Sequence, residues 1–466
     1  MTAPVPSCIS EVVGVGRYSG NYFITSVNPE APVHKGFWES IKRYEQQGIE
    51  VILLPVKPHL PPLVQNDDDF PYCYSDWELD GRGLLFRNKR LNKKVQISNE
   101  TILSQQIEPT TGLERFTQSD VTTIFASPKQ RLRVVPNSNI KLPKILTTTG
   151  SLTNAQYRNN RIGNIARRDH TLGGVVVNIV DDKFYHLRHV QALGSGEFVD
   201  LGRKYGPDGE SAAVLEALVV GDTHVGDTDP DVRDATFDMI AELKPRRIIL
   251  HDFFNGHSIN HHEWDKSVTR AQDFRAKRTS LEEELRMCAM ELRIYVEAVP
   301  KGVPIVIVDC NHHDFLRKYL EHGQFTHDRE NALIASKLYG AQILGENPVE
   351  AGIKMFYDIP PNVRFLKRDE DYKVRHWQLG AHGDKGGNGA KGSVSAREKA
   401  YGQSITGHTH TPEMLRRTII VGTSTHLKLR YNEGPSSWMN THALLYDTGK
   451  AQLVNIINGE WRLDED

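Results

Sequence analysis

Histidine is the residue type whose distribution along this chain suggests chemistry. Of the 20 histidines, fourteen lie between His224 and His426. Surface histidines would be spread more evenly, whereas clustering among Asp and Asn residues is typical of metal ligands. Imidazole and carboxylate together suit Mn, Fe or Zn better than Ca. The distribution therefore indicates a transition-metal site in the second half of the chain.

Five short motifs in this part of the chain place Asp, Asn or His directly after a β-rich run. In chain order they are Gly221-Asp222-Thr223-His224, His251-Asp252, Asn311-His312, Ala381-His382-Gly383 and Gly407-His408-Thr409-His410. Ligands of open α/β sheets gather at the carboxyl ends of the strands. Each motif alone is weak evidence, because an Asp at a strand end more often caps a helix or accepts loop hydrogen bonds. Together they predict one shared metal site.

The elements that must position these motifs alternate between strands and helices. The segments AVLEALVVGDTH, RRIILHDFF and VPIVIVDCNHHD have the composition of buried strands, and DVRDATFDMIAELK and LEEELRMCAMELRIYVEAV have helical spacing. This alternation predicts a largely parallel sheet with helices on its faces. The later segments WQLGAH, SITGHTH, TIIVGTS and ALLYDT are predicted to be short strands.

The first part of the chain has a different pattern. FITSV, the helical segment FWESIKRYEQQG ending at Gly48, and VILLPV predict a βαβ unit, and GGVVVNIV and FYHLRHVQAL predict a hairpin. The loop LGRKYGPDGES follows. We therefore expect an α/β or α+β accessory domain over residues 1–210 and a catalytic domain over residues 211–466.

The order of the five motifs resembles that of the calcineurin-like metallophosphoesterase superfamily, over roughly residues 215–430. The resemblance implies a four-layer α/β/β/α fold and a two-metal site, with Mn²⁺ favoured and Mg²⁺, Fe²⁺ or Zn²⁺ as alternatives. It assigns one metal to Asp222, His224 and His410, the other to Asn311, His382 and His408, and the bridge to Asp252. It also implies that His312 faces the phosphate and protonates or stabilises the leaving oxygen.

This ligand set suits the hydrolysis of a phosphoester. Two cations about 4 Å apart clamp the attacking and leaving oxygens of an in-line displacement and acidify a bound water. The sequence departs from the superfamily pattern at His251 and Cys310, where Gly is usual, and at His313, which separates the catalytic histidine from an acid. Either Asp309 or Asp314 could therefore orient His312.

Two longer segments, from Gly256 to Ala289 and from His322 to His376, resemble the DNA-repair nuclease branch. HDFFNGHSINHH, AHGDKGGNG, ITSVNPEAPVHKGF and ILTTTGSLT also resemble tailed-phage DNA-transfer nucleases that degrade host DNA. The leading interpretation is a metal-dependent DNase. The residues expected to contact its substrate are His257, Asn260, His261 and Lys385.

Two other functions stay open at this stage. One is a phosphatase or nucleotide phosphodiesterase acting on a small substrate, and the other is a non-catalytic DNA-binding or assembly scaffold. Basic clusters at 87–94 and 158–168 are either phosphate contacts or solvated faces. The intact ligand set argues against the scaffold, which would tolerate the loss of a ligand.

Composition adds several expectations. The 466 residues carry a net charge of -2 and four cysteines, none in a CxxC pair, so a thiolate zinc site is not expected. The N-terminus lacks the features of a signal peptide, and no stretch of about 18 apolar residues predicts a membrane span. We expect a cytoplasmic protein, in the host cytoplasm if it is phage-encoded. The oligomeric state is left open, with a homo-oligomer as one outcome.

Overall fold

The computed structural model describes residues 19–56, 77–100, 102–103, 106–138, 141–368, 370–390 and 392–463. Helices and sheets are mixed throughout, which confirms the α/β class. The α-helices are Lys35–Glu45, Arg161–Asp169, Pro230–Leu243, Ser267–Arg275, Leu281–Ala298, Asn311–Glu321, Ala332–Ile343, Pro348–Lys354 and Val394–Tyr401. Within the described ranges, no helix combines the length and apolar character needed to cross a membrane. The segment behind the signal-peptide prediction, residues 1–16, lies outside the described residues.

A four-stranded sheet contains the N-terminal βαβ unit. Its spatial order is Tyr185–Gln191, Gly173–Ile179, Gly20–Val27 and Ile49–Pro55. The last two strands are parallel and are connected through helix Lys35–Glu45, and the first two form an antiparallel hairpin. Both units confirm the sequence prediction. A three-stranded sheet follows, formed by Phe198–Asp200, Arg203–Gly206 and Gly209–Ala212.

A six-stranded sheet carries the first three motifs. Its order is Val363–Phe365, Ile305–Ile307, Ile248–Leu250, Leu215–Val220, Thr441–Tyr446 and Ala451–Asn455. The first four strands are mutually parallel, and the last two are antiparallel additions at one side. Every residue of Leu215–Val220 is buried, as expected for a parallel strand covered on both faces. The predicted largely parallel sheet is confirmed.

A ten-stranded sheet carries the last two motifs and contains strands from both sides of residue 210. Its order is Lys373–Val374, Trp377–Gln378, Ser404–Thr406, Thr418–Ile420, Glu413–Leu415, Gln130–Val135, Lys144–Thr149, Thr122–Phe125, Val95–Ser98 and Lys89–Arg90. Met414 pairs with Leu132 where the two parts of the chain meet. The division into domains 1–210 and 211–466 stays a prediction, in a molecule whose largest sheet is shared by both parts. A two-stranded sheet, Glu78–Leu79 with Arg82–Gly83, completes the described strands.

The six-stranded and ten-stranded sheets pack face to face around one apolar core. Ala217 and Val219 point into this core together with Ile124, Leu132 and Ile405 of the other sheet. Successive strand side chains point to opposite faces. Leu218 and Val220 therefore pack on the other side, against the helices Pro230–Leu243 and Leu281–Ala298, whereas the short helix Val394–Tyr401 packs on the ten-stranded sheet through Val394. The two packed sheets bring the motif-bearing strand ends to one edge.

Candidate metal centre

The predicted ligands follow strands of the two packed sheets. Asp222 follows Leu215–Val220 and Asp252 follows Ile248–Leu250, while Asn311 begins a helix soon after Ile305–Ile307. His382 follows Trp377–Gln378, and His408 and His410 follow Ser404–Thr406. Five of these seven side chains are buried: Asp222, His224, Asp252, His382 and His410. Because the strands end at a common edge, their polar ends meet below the protein surface.

The backbone at this edge is unusual. His224, Asp252, His408 and His410 have φ angles of 45°, 44°, 81° and 56°. The left-handed region costs a non-glycine residue about 1–2 kcal/mol, and such strain is concentrated at functional sites in known proteins. The cost indicates that the surrounding fold holds these four side chains in place against a local preference.

One set of side chains forms a compact group. Ligand-type atoms of Asp222, His224, Asp252 and His410 all lie within 4.8 Å of one another. The Nε2 atoms of His224 and His410 are 2.9 Å apart, and His410 Nε2 is 3.2 Å from Asp222 Oδ2. This group contains every ligand that the sequence assigned to the first metal, together with the expected bridge.

The remaining ligands lie on the other side of Asp252. Asp252 Oδ2 is 3.0 Å from His382 Nε2 and 3.5 Å from His224 Nε2, so one carboxylate touches an imidazole from each set. His408 Nδ1 is 3.2 Å from the side-chain oxygen of Asn311, and the rings of His382 and His408 are 5.3 Å apart. The structure therefore brings all seven predicted ligands together, with Asp252 between the two sets.

The donors of this cluster fit divalent cations. Asp222 Oδ1 and Asp252 Oδ1 are fully buried and have no hydrogen-bond partner in the described part of the chain. A buried carboxylate oxygen without a donor is costly unless a cation neutralises it. The Nε2 atoms of His224 and His410 also face each other, and two protonated nitrogens would repel at that distance. The cluster can therefore hold a divalent metal ion.

The protonation states agree with this conclusion. Burial would raise the pKa of Asp252, but the neighbouring imidazoles, first that of His382, outweigh burial and hold the pKa well below its usual range. Burial lowers the pKa of His224 to about 3 and that of His408 to about 4, so both rings offer lone pairs at neutral pH. Burial opposes protonation of His382 as well, yet the adjacent Asp252 carboxylate raises the pKa of His382 to about 9. A cation bound there must displace that proton.

The partner that orients His312 differs from the expectation. His312 Nδ1 contacts the backbone carbonyl oxygen of Asn255. Because a carbonyl only accepts hydrogen bonds, Nδ1 carries the proton and Nε2 is the nitrogen left for the substrate. The expected acids have other partners: Asp309 Oδ1 lies 3.4 Å from His313 Nδ1, and Asp314 Oδ1 accepts a bond from Arg317 at 2.6 Å. A backbone carbonyl leaves no signal in a side-chain pattern, which is why sequence reasoning missed it.

Asn255 is itself held in place by a carboxylate. Its side-chain Nδ2 donates to Asp227 Oδ2 at 2.8 Å, and Arg278 donates to Asp227 Oδ1 at 2.6 Å. Asp227 belongs to the loop that follows the predicted ligand His224. The sequence did not single out Asp227 or Arg278, because their role depends on two loops that meet only in the folded chain.

Aromatic rings flank the metal centre on two sides. The ring of Trp438 lies 4.1 Å from that of His410 and 5.5 Å from that of Tyr431, whose side chain is 59% exposed. On the other side, Phe315 lies 4.7 Å from His312. No sequence pattern marks these rings, because aromatic residues in loops and helices are far more often packing residues.

The four predicted substrate contacts are placed in different surroundings. His261 packs against Phe315 at 5.1 Å, and Lys385 Nζ lies 3.7 Å from Asp314 Oδ2. His257 Nε2 is directed at Asp273 Oδ1 at 3.3 Å, and Asn260 accepts a bond from the backbone of His262. Their substrate roles stay predictions. His261 lies beside Phe315, whose ring contacts that of His312, and His257 is paired with Asp273.

Fold and site together define the chain as an α/β protein with a buried Asp/His cluster that can hold a metal ion. The chain is similar to Protein A1 of Escherichia phage T5, with 25% identity over 465 residues that cover 94% of this chain and 82% of that protein. No protein-family model matches the chain, and no solved structure matches it.

Proposed function

We propose that the chain is a dinuclear-metal phosphodiesterase of the calcineurin-like type, and that its substrate is DNA. The observation that carries the proposal is the meeting of seven potential ligands from five separate motifs around Asp252. The arrangement of helices, two packed sheets and a further short helix supports the four-layer architecture expected for this type.

In this proposal, each half of the cluster holds one cation. One would be bound by Asp222, His224 and His410, the other by Asn311, His382 and His408, and Asp252 would touch both. Bound cations, with Mn²⁺ as the favoured ion, would polarise the phosphate oxygens and make water a nucleophile near neutral pH. The residues of the chain supply the remaining positioning and proton transfer.

The proton donor in the proposed reaction is His312. Its ring lies 4.5 Å from that of His224, at the edge of the cluster. The Asn255 carbonyl holds the Nδ1 proton, so the doubly protonated ring gives its Nε2 proton to the leaving oxygen and is left as the neutral ring protonated at Nδ1. Lys385, with its side chain half exposed nearby, supplies positive charge for the substrate phosphate.

Two observations favour a nucleic acid over a small phosphoester that has no nucleobase. Exposed Tyr431 and its neighbour Trp438 lie beside the cluster, and aromatic rings of this kind stack on nucleobases. The similarity to a phage protein agrees with the resemblance to tailed-phage nucleases. A small phosphomonoester would make no use of a stacking surface next to the centre.

The decisive experiment compares two substrates and three variants. Purified protein is incubated with plasmid DNA or with bis(p-nitrophenyl) phosphate, in Mn²⁺, Mg²⁺, Zn²⁺ or EDTA. We expect metal-dependent cleavage of both, its loss in Asp252→Asn, and normal activity in the matched control Asp265→Asn, whose side chain is exposed. His312→Ala should lower kcat by about 10²–10⁴-fold while metal binding is retained.

Other outcomes would redirect the assignment. Cleavage of bis(p-nitrophenyl) phosphate without cleavage of DNA would favour the phosphatase or nucleotide phosphodiesterase that acts on a small substrate. DNA binding without hydrolysis of either substrate in any metal would favour the scaffold. Full activity of Asp252→Asn, or activity that survives exhaustive EDTA treatment, would refute the metal mechanism.

A further inference from the structure

A polar cavity lies away from the candidate metal centre, beside the turn that precedes strand Thr418–Ile420. Its volume is about 340 Å³. Thr423, which pairs with Asp222, lies six positions after Arg417, a separation of about 20 Å in an extended chain. The cavity is therefore distinct from the metal centre. The side chains that give it its charge are Arg168, Asp169, Arg416, Arg417 and Lys450.

The charges around this cavity do not balance. Its lining contains four basic side chains and one carboxylate, that of Asp169. Asp169 is already shared by Arg168 at 2.8 Å, Lys129 at 3.4 Å and Arg416 at 3.6 Å, and Arg416 is also paired with Glu398. It cannot neutralise further cations.

Arg417 and Lys450 are the cations left over. Neither has a carboxylate within 4.0 Å among the residues that the structure describes. Lys450 is partly buried, and burial together with the nearby Arg417 lowers the pKa of its ammonium group. Two neighbouring cations without a counter-charge are unfavourable, and a bound anion would relieve this repulsion.

The turn beside the cavity is built from an unusual sequence. Leu415 pairs with Thr418, so Arg416 and Arg417 form a two-residue hairpin turn. Such turns favour Asn and Gly, because positive φ angles are needed, and Arg416 adopts φ 54°. Two arginines at this position hold guanidinium groups at the cavity in spite of the local conformational preference.

A basic helix extends from the cavity. Arg168 lies in the helix Arg161–Asp169, and Arg161 lies two turns earlier on the same face, about 10 Å away. Both are exposed, as are Arg158 and Arg167. A DNA strand presents one phosphate for about every 3.4 Å along the duplex axis. A row of arginine side chains about 10 Å long suits successive phosphates of a polynucleotide better than one small anion.

We propose that this cavity and the face of helix Arg161–Asp169 form a second DNA-contacting site, where Arg417 and Lys450 bind a backbone phosphate remote from the metal centre. The proposal rests on the proposed function only in taking DNA as the partner. It requires no chemistry at the metal cluster.

The test measures DNA binding without hydrolysis. Metal-stripped full-length protein in EDTA is titrated into a fluorescent duplex across a series of NaCl concentrations. The variant Arg417→Ala/Lys450→Met, in which Met keeps the apolar stem of the lysine, should bind at least tenfold more weakly. Its plot of log affinity against log salt should be less steep by about 1, because the loss of one phosphate contact removes about 0.9 from the slope.

Two controls separate this site from general effects. Arg329→Ala/Lys337→Met removes the same charge from exposed positions elsewhere and should leave affinity and slope at wild-type values. Arg417→Lys/Lys450→Arg keeps both charges and should retain most of the binding. Hydrolysis of bis(p-nitrophenyl) phosphate, which is too small to reach both sites, should be unchanged in the Arg417→Ala/Lys450→Met protein.

The outcomes distinguish this inference from the proposed function. An unchanged affinity and salt slope in Arg417→Ala/Lys450→Met would overturn the second site even if the protein proves to be a nuclease. The same loss of binding in a protein that hydrolyses no phosphodiester would support the second site and refute the nuclease. If inorganic phosphate or dAMP binds in the cavity, and Arg417→Ala/Lys450→Met leaves DNA binding unaffected, the cavity is a small-anion site. That result would overturn the polynucleotide assignment.

Discussion

The close approach of Gly407 to Asp222 provides a sharp test of the metal centre. A methyl group added at Gly407 would lie 2.0 Å from Asp222 Oδ1 and 3.3 Å from His251 Cβ. Neither atom can move away easily, because both side chains are buried and Asp222 Oδ2 accepts a 2.7 Å hydrogen bond from the backbone of His408. We therefore predict that Gly407→Ala displaces the Asp222 carboxylate.

Two effects should follow from this displacement. Overpacking a dense interior costs about 1–3 kcal/mol of unfolding free energy. Disturbing the support of a metal ligand typically weakens metal affinity by about 10–100-fold, equivalent to about 1.4–2.7 kcal/mol of binding free energy. The loss in metal affinity should be larger at the set that contains Asp222, His224 and His410.

The assay combines Mn²⁺ titration calorimetry with urea unfolding of the metal-free protein. Gly340→Ala is the matched control, because a methyl group at Gly340 meets nothing within 4 Å and the residue lies within helix Ala332–Ile343. That control should keep metal affinity and gain about 0.5–1 kcal/mol of stability. If Gly407→Ala binds Mn²⁺ as tightly as the wild type, Asp222 is not a ligand in the arrangement described.

Three further predictions concern other parts of the molecule. Burial lowers the pKa of His189 from 6.5 to about 4. Between these two pH values the unfolded chain binds a proton that the folded chain does not. The free energy of unfolding should therefore fall as the pH drops through this range, by about 1.4 kcal/mol per pH unit. When urea unfolding is measured from pH 4.5 to 6, the free energy of unfolding of His189→Gln should depend on pH less steeply by that amount. An unchanged pH dependence would contradict the reasoning. Asp227→Asn should lower kcat about tenfold, because the carboxylate that holds the Asn255 side chain is lost, while Mn²⁺ affinity stays normal. A similar loss in kcat and in Mn²⁺ affinity would indicate a structural role instead. Tyr431→Ala should reduce kcat/KM for DNA about 5–160-fold, from about 1–3 kcal/mol of base stacking, and leave bis(p-nitrophenyl) phosphate hydrolysis unchanged; equal effects on the two substrates would contradict a role in base stacking.

The meeting of the predicted ligand residues could be foreseen because strand ends carry a local signal. Asp222, Asp252 and Asn311 each follow a short run of mostly apolar residues, a pattern that is visible without the fold. Parallel strands then place their carboxyl ends at one edge, so the meeting of these side chains follows from the fold class. The βαβ unit and the hairpin near the N-terminus were predictable for the same reason, since both depend on contacts between neighbours in the sequence.

The surroundings of His312 were not predictable in this way. The carbonyl of Asn255 lies 57 residues away in the chain, and every residue has a carbonyl. The pairing of Met414 with Leu132 was also beyond the sequence, because short strands have many partners of similar propensity and the packing of the whole molecule selects one. The balance of charges at Arg417 and Lys450 depends in the same way on which distant carboxylates the fold brings near.

The amino-acid sequence by itself therefore determined the chemistry available to this protein: which residues can bind a cation, that they follow strands, and that these strands alternate with helices. The tertiary structure alone decided which atoms face one another, which nitrogen of His312 is held by a carbonyl, and which cations lack a partner. The physical reason is one of range. Side-chain chemistry and backbone propensity act over a few residues, whereas hydrogen-bond satisfaction and charge balance depend on atoms that become neighbours only after folding.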